Sequence, residues 1–180
     1  ADVLGLEETR QEYQEIADRQ WRAVKEEYFT STGRCAVKTQ TGLILALKYH
    51  LSENEELTKQ MMKKLLRDNK NKLNTGFVGT PLLCNVLTDH GMTDAAYRLL
   101  LNEEYPGWLY EVKLGATTVW ERWNSLDENG HVSSTGMNSL NHYSYGAVLE
   151  WIFCHAAGID VTEQSPGGRV MRISPKVNRG

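Results

Sequence analysis

The sequence predicts an all-α domain of antiparallel helix pairs that ends in a single β-strand. Three observations carry this. Apolar residues recur at helical spacing through most of the 180 residues. The connections between the periodic stretches are mostly short and marked by glycine, proline or a capping side chain. Period-two alternation is found only beyond Val161. No signature residues recur at a period of roughly 33–47 residues, which argues against tetratricopeptide and ankyrin arrays.

About seven helices follow from the pattern. Residues 6–29 carry Tyr13, Ile16, Ala17, Gln20, Trp21, Val24 and Tyr28 at helical spacing, with acids in the first turns, and predict a long amphipathic helix. Residues 30–33, rich in hydroxyls and closed by Gly33, end it. Residues 41–51 place Leu43, Ile44, Leu47 and Leu51 on one stripe, short and apolar enough for an inner helix. Ser52 is the expected cap of the next helix, residues 55–70, in which Leu57, Met61, Met62, Leu65 and Leu66 repeat. Thr80-Pro81 opens a helix that Gly91 stops, with a hydroxyl cap and proline at the first position. Thr93 and Asp94 start another, with Ala96, Tyr97, Leu100 and Leu101 inward, and Pro106-Gly107 breaks it. Residues 108–114 form one further short segment, and Asp127 to Gly130 is a surface turn. Residues 141–157 return to helical spacing through Tyr145, Val148, Leu149, Ile152 and Phe153, capped by Gly158. After Pro166-Gly167-Gly168, residues 170–173 read as a strand whose partner lies outside this chain.

Composition narrows the function classes. With 41% apolar and 24% charged residues the chain is an ordinary soluble globular domain, long enough to bury a core. A net charge of −3 and the lack of any basic run exclude a nucleic-acid or anionic-membrane partner; Lys63, Lys64, Lys70 and Lys72 read as a solvated helix face. Cys35, Cys84 and Cys154 are odd in number and widely spaced, hence free buried thiols. The five histidines show no ligand spacing, so neither a metal site nor a cofactor is expected. Neither a signal peptide nor a run of about 18 apolar residues is found, and a cytoplasmic or periplasmic parent is expected. The start at Ala1, without methionine, fits a processed or excised piece.

The densest chemistry lies in residues 115–123, G-A-T-T-V-W-E-R-W. Gly115 interrupts what precedes, and threonines, valine and tryptophan in succession disfavour helix, so this is a loop between helices. It sets one carboxylate, Glu121, between Trp120 and Trp123, with Arg122 alongside. Indole faces stack on the C–H faces of a pyranose while a carboxylate handles a proton, so the combination points to sugar chemistry. The competing reading pairs Glu121 with a basic neighbour and packs the tryptophans into the core. Trp108 and Trp151, in apolar helical surroundings, are core on either reading, and the glycines of residues 74–79 lack the Lys-Ser/Thr of a phosphate loop.

This loop resembles the signature of the bacterial and fungal α-L-rhamnosidases with an (α/α)6-barrel catalytic domain. T-G-F-V-G-T-P-L-L at 75–83, A-Y-R-L-L-L at 96–101 with E-Y-P-G-W-L-Y at 104–110, and M-N-S-L-N-H-Y-S-Y-G-A-V-L-E-W at 137–151 stand in that family's order and spacing, as does Thr39-Gln40-Thr41. The resemblance runs from about Leu4 to the C-terminus. It implies part of an (α/α)6 toroid: residues 1–160 as the C-terminal portion of the barrel, and 161–180 as a linker and first strand of a C-terminal β-domain.

The resemblance also implies function. The family hydrolyses rhamnosides with inversion, and the glutamate of W-E-R-W is its general base, which makes Glu121 the base here. His142 of N-H-Y becomes a sugar-hydroxyl contact, with Asn141, Trp120 and Trp123 as further substrate-binding residues. From its own context, His142 sits at a helix start, where a polar side chain satisfies backbone donors. No counterpart of the family's acid is found upstream of Trp120; Glu103, Glu104 and Glu111 are where a missed acid would be sought. The implied partner is a rhamnose-containing oligosaccharide or glycoside, and half a barrel implies self-association through its open face. Leu140, for a more frequent aromatic, and Gly107, for a small hydroxyl residue, depart from the pattern. A non-catalytic carbohydrate-binding domain and a helical interaction scaffold are the alternative functions.

Overall fold

The structure, a computed structural model, describes residues 1–133, 136–162, 165 and 167–178. After a 3-10 turn, α1 (Glu7–Tyr28) spans 22 residues, with Glu7 and Glu8 in its first turn and Lys25 in its last, as the helix dipole favours. It buries none of its residues. Among the described residues it is anchored toward its C-terminal end, where Trp21 Nε1 donates to the His50 carbonyl at 3.2 Å and Lys25 pairs with Glu53.

α2 (Gln40–Lys48) is the opposite case, short and apolar, burying Leu43, Ile44, Ala46 and Leu47. The Thr39 hydroxyl caps it, accepting from Gly42 N at 3.0 Å. Buried Gln40 donates to the Lys72 carbonyl at 2.9 Å and accepts from Asn74 N at 2.8 Å, so one amide fixes the distant 72–74 turn. α3 (Glu55–Asp68) is capped by Asn54, not by Ser52: Asn54 Oδ1 accepts from Leu57 N at 3.0 Å, while Ser52 Oγ donates to the Gly33 carbonyl at 2.8 Å.

α4 (Thr80–Asp89) is the hub, packing against α2, α5 (Thr93–Leu100), α7 (Tyr143–Gly146) and α8 (Val148–Trp151). Its cap is Gly79, without a side-chain bond; Thr80 is already helical and its hydroxyl donates to the Gly76 carbonyl at 2.8 Å. Leu83, Val86 and Leu87 meet Leu43, Ile44, Leu47, Ala96, Leu99 and Trp151 in one core. Trp151 places its N–H on Thr88 Oγ1 at 2.8 Å and its ring edge-to-face with Tyr97, as a core tryptophan must.

The helix expected over 141–157 is segmented into α7, α8 and a π-helical turn, Ile152–Ala156. The terminal strand also differs from expectation. β2 (Met171–Ile173) pairs antiparallel with β1 (Ile159–Val161), Asp160 opposite Arg172, so this chain supplies the partner itself. Pro166 of the expected turn lies outside the described residues. Cys35 and Cys84 are buried as expected; Cys154 is only partly so. Among the described residues no helix is long and apolar enough to cross a membrane.

Leu87 is fully buried in the hub, whereas Tyr13 on α1 is 65% exposed. Leu87→Ala is expected to cost about 2–5 kcal/mol and Tyr13→Ser less than about 0.5 kcal/mol, read from urea unfolding. A loss at Tyr13 as large as that at Leu87 would show that the α1 face is covered in solution.

Candidate active site

α6 (Trp108–Lys113) delivers the aromatic-and-acid loop, and both of its ends need glycine. At Gly107 a Cβ would stand 2.9 Å from the Asn102 carbonyl, because the Asn102 side chain is folded over this turn to donate to the Pro106 carbonyl at 3.1 Å. At Gly115 the chain reverses with φ +83°, a conformation that L side chains rarely adopt.

From there the loop is laced to residues 139–142. Thr118 Oγ1 donates to the Leu140 carbonyl, His142 N donates to the Val119 carbonyl at 2.8 Å, and Glu121 N donates to the Ser139 carbonyl at 2.9 Å. Ser139 N returns a bond to Glu121 Oε2 at 2.7 Å. Two segments whose bonded residues lie 18 to 23 positions apart in sequence thus bring Glu121 and His142, the two residues singled out from separate motifs, onto neighbouring backbone. Glu121 is part-buried.

The indoles build the wall behind it. Trp120 is 2% exposed and Trp123 7%. Trp123 stacks on Tyr145, centroids 4.0 Å apart, and meets Trp108 edge-to-face at 5.2 Å. Its N–H reaches the Thr75 carbonyl at 3.5 Å, and Trp108 N–H donates to the Tyr145 carbonyl at 2.9 Å. Burial, then the Glu111 carboxylate, push the Tyr145 phenol up, while Arg122 pulls it down. Tyr145 therefore lies within electrostatic reach of both Glu111 and the 121–122 pair.

His142 is the N-cap of α7, its Nδ1 accepting from Ser144 N at 3.3 Å. That bond leaves the proton of the neutral ring on Nε2, as a donor. The ring lies between Tyr143 at 5.3 Å and Phe77 at 6.2 Å, and Phe77 is 52% exposed. Asn141 is exposed, its main chain looped onto Ser139 Oγ at 3.1 Å. Sequence reasoning missed Ser139 and Tyr145 as parts of the site. Both lie within the M-N-S-L-N-H-Y-S-Y stretch, but only contact with the 118–123 loop gives them a role.

Of the carboxylates where a missed acid would be sought, Glu103 pairs with Lys113 at 3.1 Å and Glu104 with Lys72 at 2.8 Å, both at the surface. Glu111 is different. It is 3% exposed, its Oε2 accepts from Trp120 N at a long 3.4 Å, and its Oε1 is buried without a hydrogen-bond partner.

The site as built is a part-buried carboxylate next to an aromatic cluster carried on short helices. The comparisons make this specific. The family model of the bacterial α-L-rhamnosidase six-hairpin glycosidase domain matches residues 1–156, and the chain belongs to that family. It is 39% identical over 178 residues to an α-L-rhamnosidase of Formosa agariphila, covering 97% of this chain and 19% of that protein. Against an α-L-rhamnosidase of Streptomyces avermitilis it is 37% identical over 169 residues, covering 88% of this chain and 16% of the other. Among solved structures, the α-L-rhamnosidase of Aspergillus terreus superposes with a TM-score of 0.89 at 34% identity, covering 97% of this chain and 21% of that one. The S. avermitilis α-L-rhamnosidase complexed with L-rhamnose gives 0.85 at 37% identity, covering 93% and 16%. The chain thus spans between 16% and 21% of the length of these relatives.

Burial carries the Glu111 carboxyl from an ordinary value of 4.5 up to about 7, against the smaller pull of the Trp120 N–H bond. A carboxyl raised on folding contributes stability that is complete below 4.5 and lost as pH climbs through about 7. The shift corresponds to roughly 3 kcal/mol. Unfolding free energy measured between pH 4.5 and 8 should therefore fall with pH more steeply in the wild type than in Glu111→Gln. Equal slopes would show that Glu111 ionises freely.

Proposed function

We propose that this chain is part of an inverting α-L-rhamnosidase that releases terminal rhamnose, and that it supplies the general base, Glu121, but not the general acid. One observation carries the reading. In a chain matched over 97% of its length to an α-L-rhamnosidase, the glutamate of W-E-R-W has one oxygen pinned by a backbone N–H, 2.7 Å from Ser139 N.

A general base must be held still while it takes a proton. With Oε2 fixed by Ser139, Oε1 receives the proton of the water that attacks the anomeric carbon as the glycosidic bond breaks. The leaving oxygen departs to the opposite side and needs a second carboxyl, roughly 6.5–9.5 Å away, to protonate it. Glu103 and Glu104 are committed to surface ion pairs and Glu111 is buried with Oε2 facing the Trp120 N–H, which supports an acid from outside this chain. His142 donates from Nε2 to a sugar hydroxyl, Asn141 adds its amide at the rim, and Trp120 and Trp123, 2% and 7% exposed, have little ring surface to offer the sugar. The capture of L-rhamnose by the S. avermitilis relative supports a rhamnose-containing glycoside as the ligand.

The same reading assigns residues 1–160 to the C-terminal portion of the barrel and 161–180 to a linker and the start of a β-domain. The end of the family match at residue 156 supports that boundary. The uncovered face of α1, with exposed Phe77, Val78 and Tyr143, supports self-association of the isolated chain.

Glu121→Gln keeps an acceptor for Ser139 N but removes the basic oxygen. In the longest polypeptide that contains this chain it should lower turnover of an aryl α-L-rhamnoside at least about 10²-fold with an unchanged melting temperature. Near-normal turnover would remove Glu121 from the mechanism. The 180-residue chain alone should not turn over that substrate at an enzymatic rate; rhamnose binding without turnover in the longer polypeptide would favour a carbohydrate-binding module instead.

A further inference from the structure

Among the described residues Glu111 is the single acidic side chain that is fully buried, and the mechanism above does not use it. Leaving one carboxylate oxygen unpaired in the interior is unfavourable, and an apolar residue on α6 would avoid it. Its place in the fold shows what the carboxyl holds. The Glu111 main-chain carbonyl accepts from Leu114 N and Ala116 N, each at 3.1 Å, at the start of the loop. Its side-chain Oε2 accepts from Trp120 N at the loop's end, 3.4 Å away. One residue therefore ties both ends of the 115–120 segment.

The peptide unit joining Val119 and Trp120 is held from both sides. Its N–H points to Glu111 Oε2, and its carbonyl accepts from His142 N at 2.8 Å. Rotation of that plane would break both bonds. It would also re-aim Glu121, the next residue, and shift the backbone of His142. We propose that Glu111 is a positioning residue of the site, its carboxyl clamping the 119–120 peptide so that Glu121 and His142 keep their relative placement. This rests on Glu121 as the general base. Glu111 does not itself meet substrate, because Oε1 is sealed from solvent and Oε2 is taken by Trp120. The charged and titratable groups near it are Tyr145 of α7 and, through Tyr145, Arg122 and Glu121 of the loop.

The test compares Glu111→Leu, which loses the acceptor, with Glu111→Gln, which keeps it. By amide hydrogen exchange, Glu111→Leu should speed exchange at Trp120, Glu121 and His142 by roughly tenfold or more, leave the α2 and α4 core amides unchanged, and be rescued by Glu111→Gln to within about threefold. In a double-mutant cycle on the longest polypeptide, Glu111→Leu should lower kcat about 10-fold or more alone but add nothing in a Glu121→Gln background. The wild type supplies a readout independent of variant folding: the Trp120 amide proton should titrate with the Glu111 carboxyl near its midpoint of about 7. A Trp120 amide indifferent to that titration, unchanged exchange in a folded Glu111→Leu, failure of Glu111→Gln to rescue, or additive losses in the cycle would each overturn the clamp. A normal kcat for Glu121→Gln would instead sink the general-base reading, with the exchange and titration experiments still deciding the clamp.

Discussion

The site depends on the lacing of residues 118–121 to residues 139–142. Four hydrogen bonds join two stretches that belong to neither a helix nor a sheet. Each is worth about 0.5–1.5 kcal/mol net, enough to order the pair only if the flanking elements are already in place. They are placed by aromatic packing. Trp123 lies flat on Tyr145 while Trp108 N–H holds the Tyr145 carbonyl, so the start of α6 and the loop that follows it are both tied to α7, and parting them means unstacking an indole. Such ring pairs add about 0.5–1.5 kcal/mol beyond their buried area. The order of dependence is therefore hub helix, aromatic cluster, backbone lacing, carboxylate.

Burial is distributed unevenly along the chain. α4 and α2 are packed on nearly all apolar positions, while α1, a longer helix with a clear amphipathic stripe, buries nothing. Periodicity records which face of a helix is apolar; it does not record whether this chain contains what covers it. The same holds near the site, where Phe77, Val78, Met137 and Tyr143 are exposed in the structure although apolar in the sequence. A face of this kind beside Glu121 suits a site completed by further protein, which is what the proposed half-site requires.

Much of the fold was legible because helices declare themselves through spacing and punctuation. α1 and α4 lie within about a residue of their expected bounds, and the Asp127 turn closes as its sequence demands, with Asp127 Oδ1 accepting from Asn129 N and His131 N. What was not legible depends on choices between near-equivalent local partners or on contacts distant in sequence. Ser52 and Asn54 are both good caps, and the pull of the Gly33 carbonyl on Ser52 decides for Asn54. The strand over 170–173 was legible, but its partner β1 was missed because three residues straight after a helical stretch are too short to show alternation. Glu111 reads as an ordinary charged residue of a short helix. Nothing local announces that the 115–120 loop will fold over it.

Two glutamates ten positions apart thus receive opposite environments from one loop. Glu121 keeps partial exposure and a hydrogen bond from Ser139 N at 2.7 Å. Glu111 is given burial and one long bond, conditions that favour the neutral acid, and burial drives it there. The loop that positions Glu121 therefore also buries Glu111, and both placements depend on the 119–120 peptide that Glu111 and His142 hold.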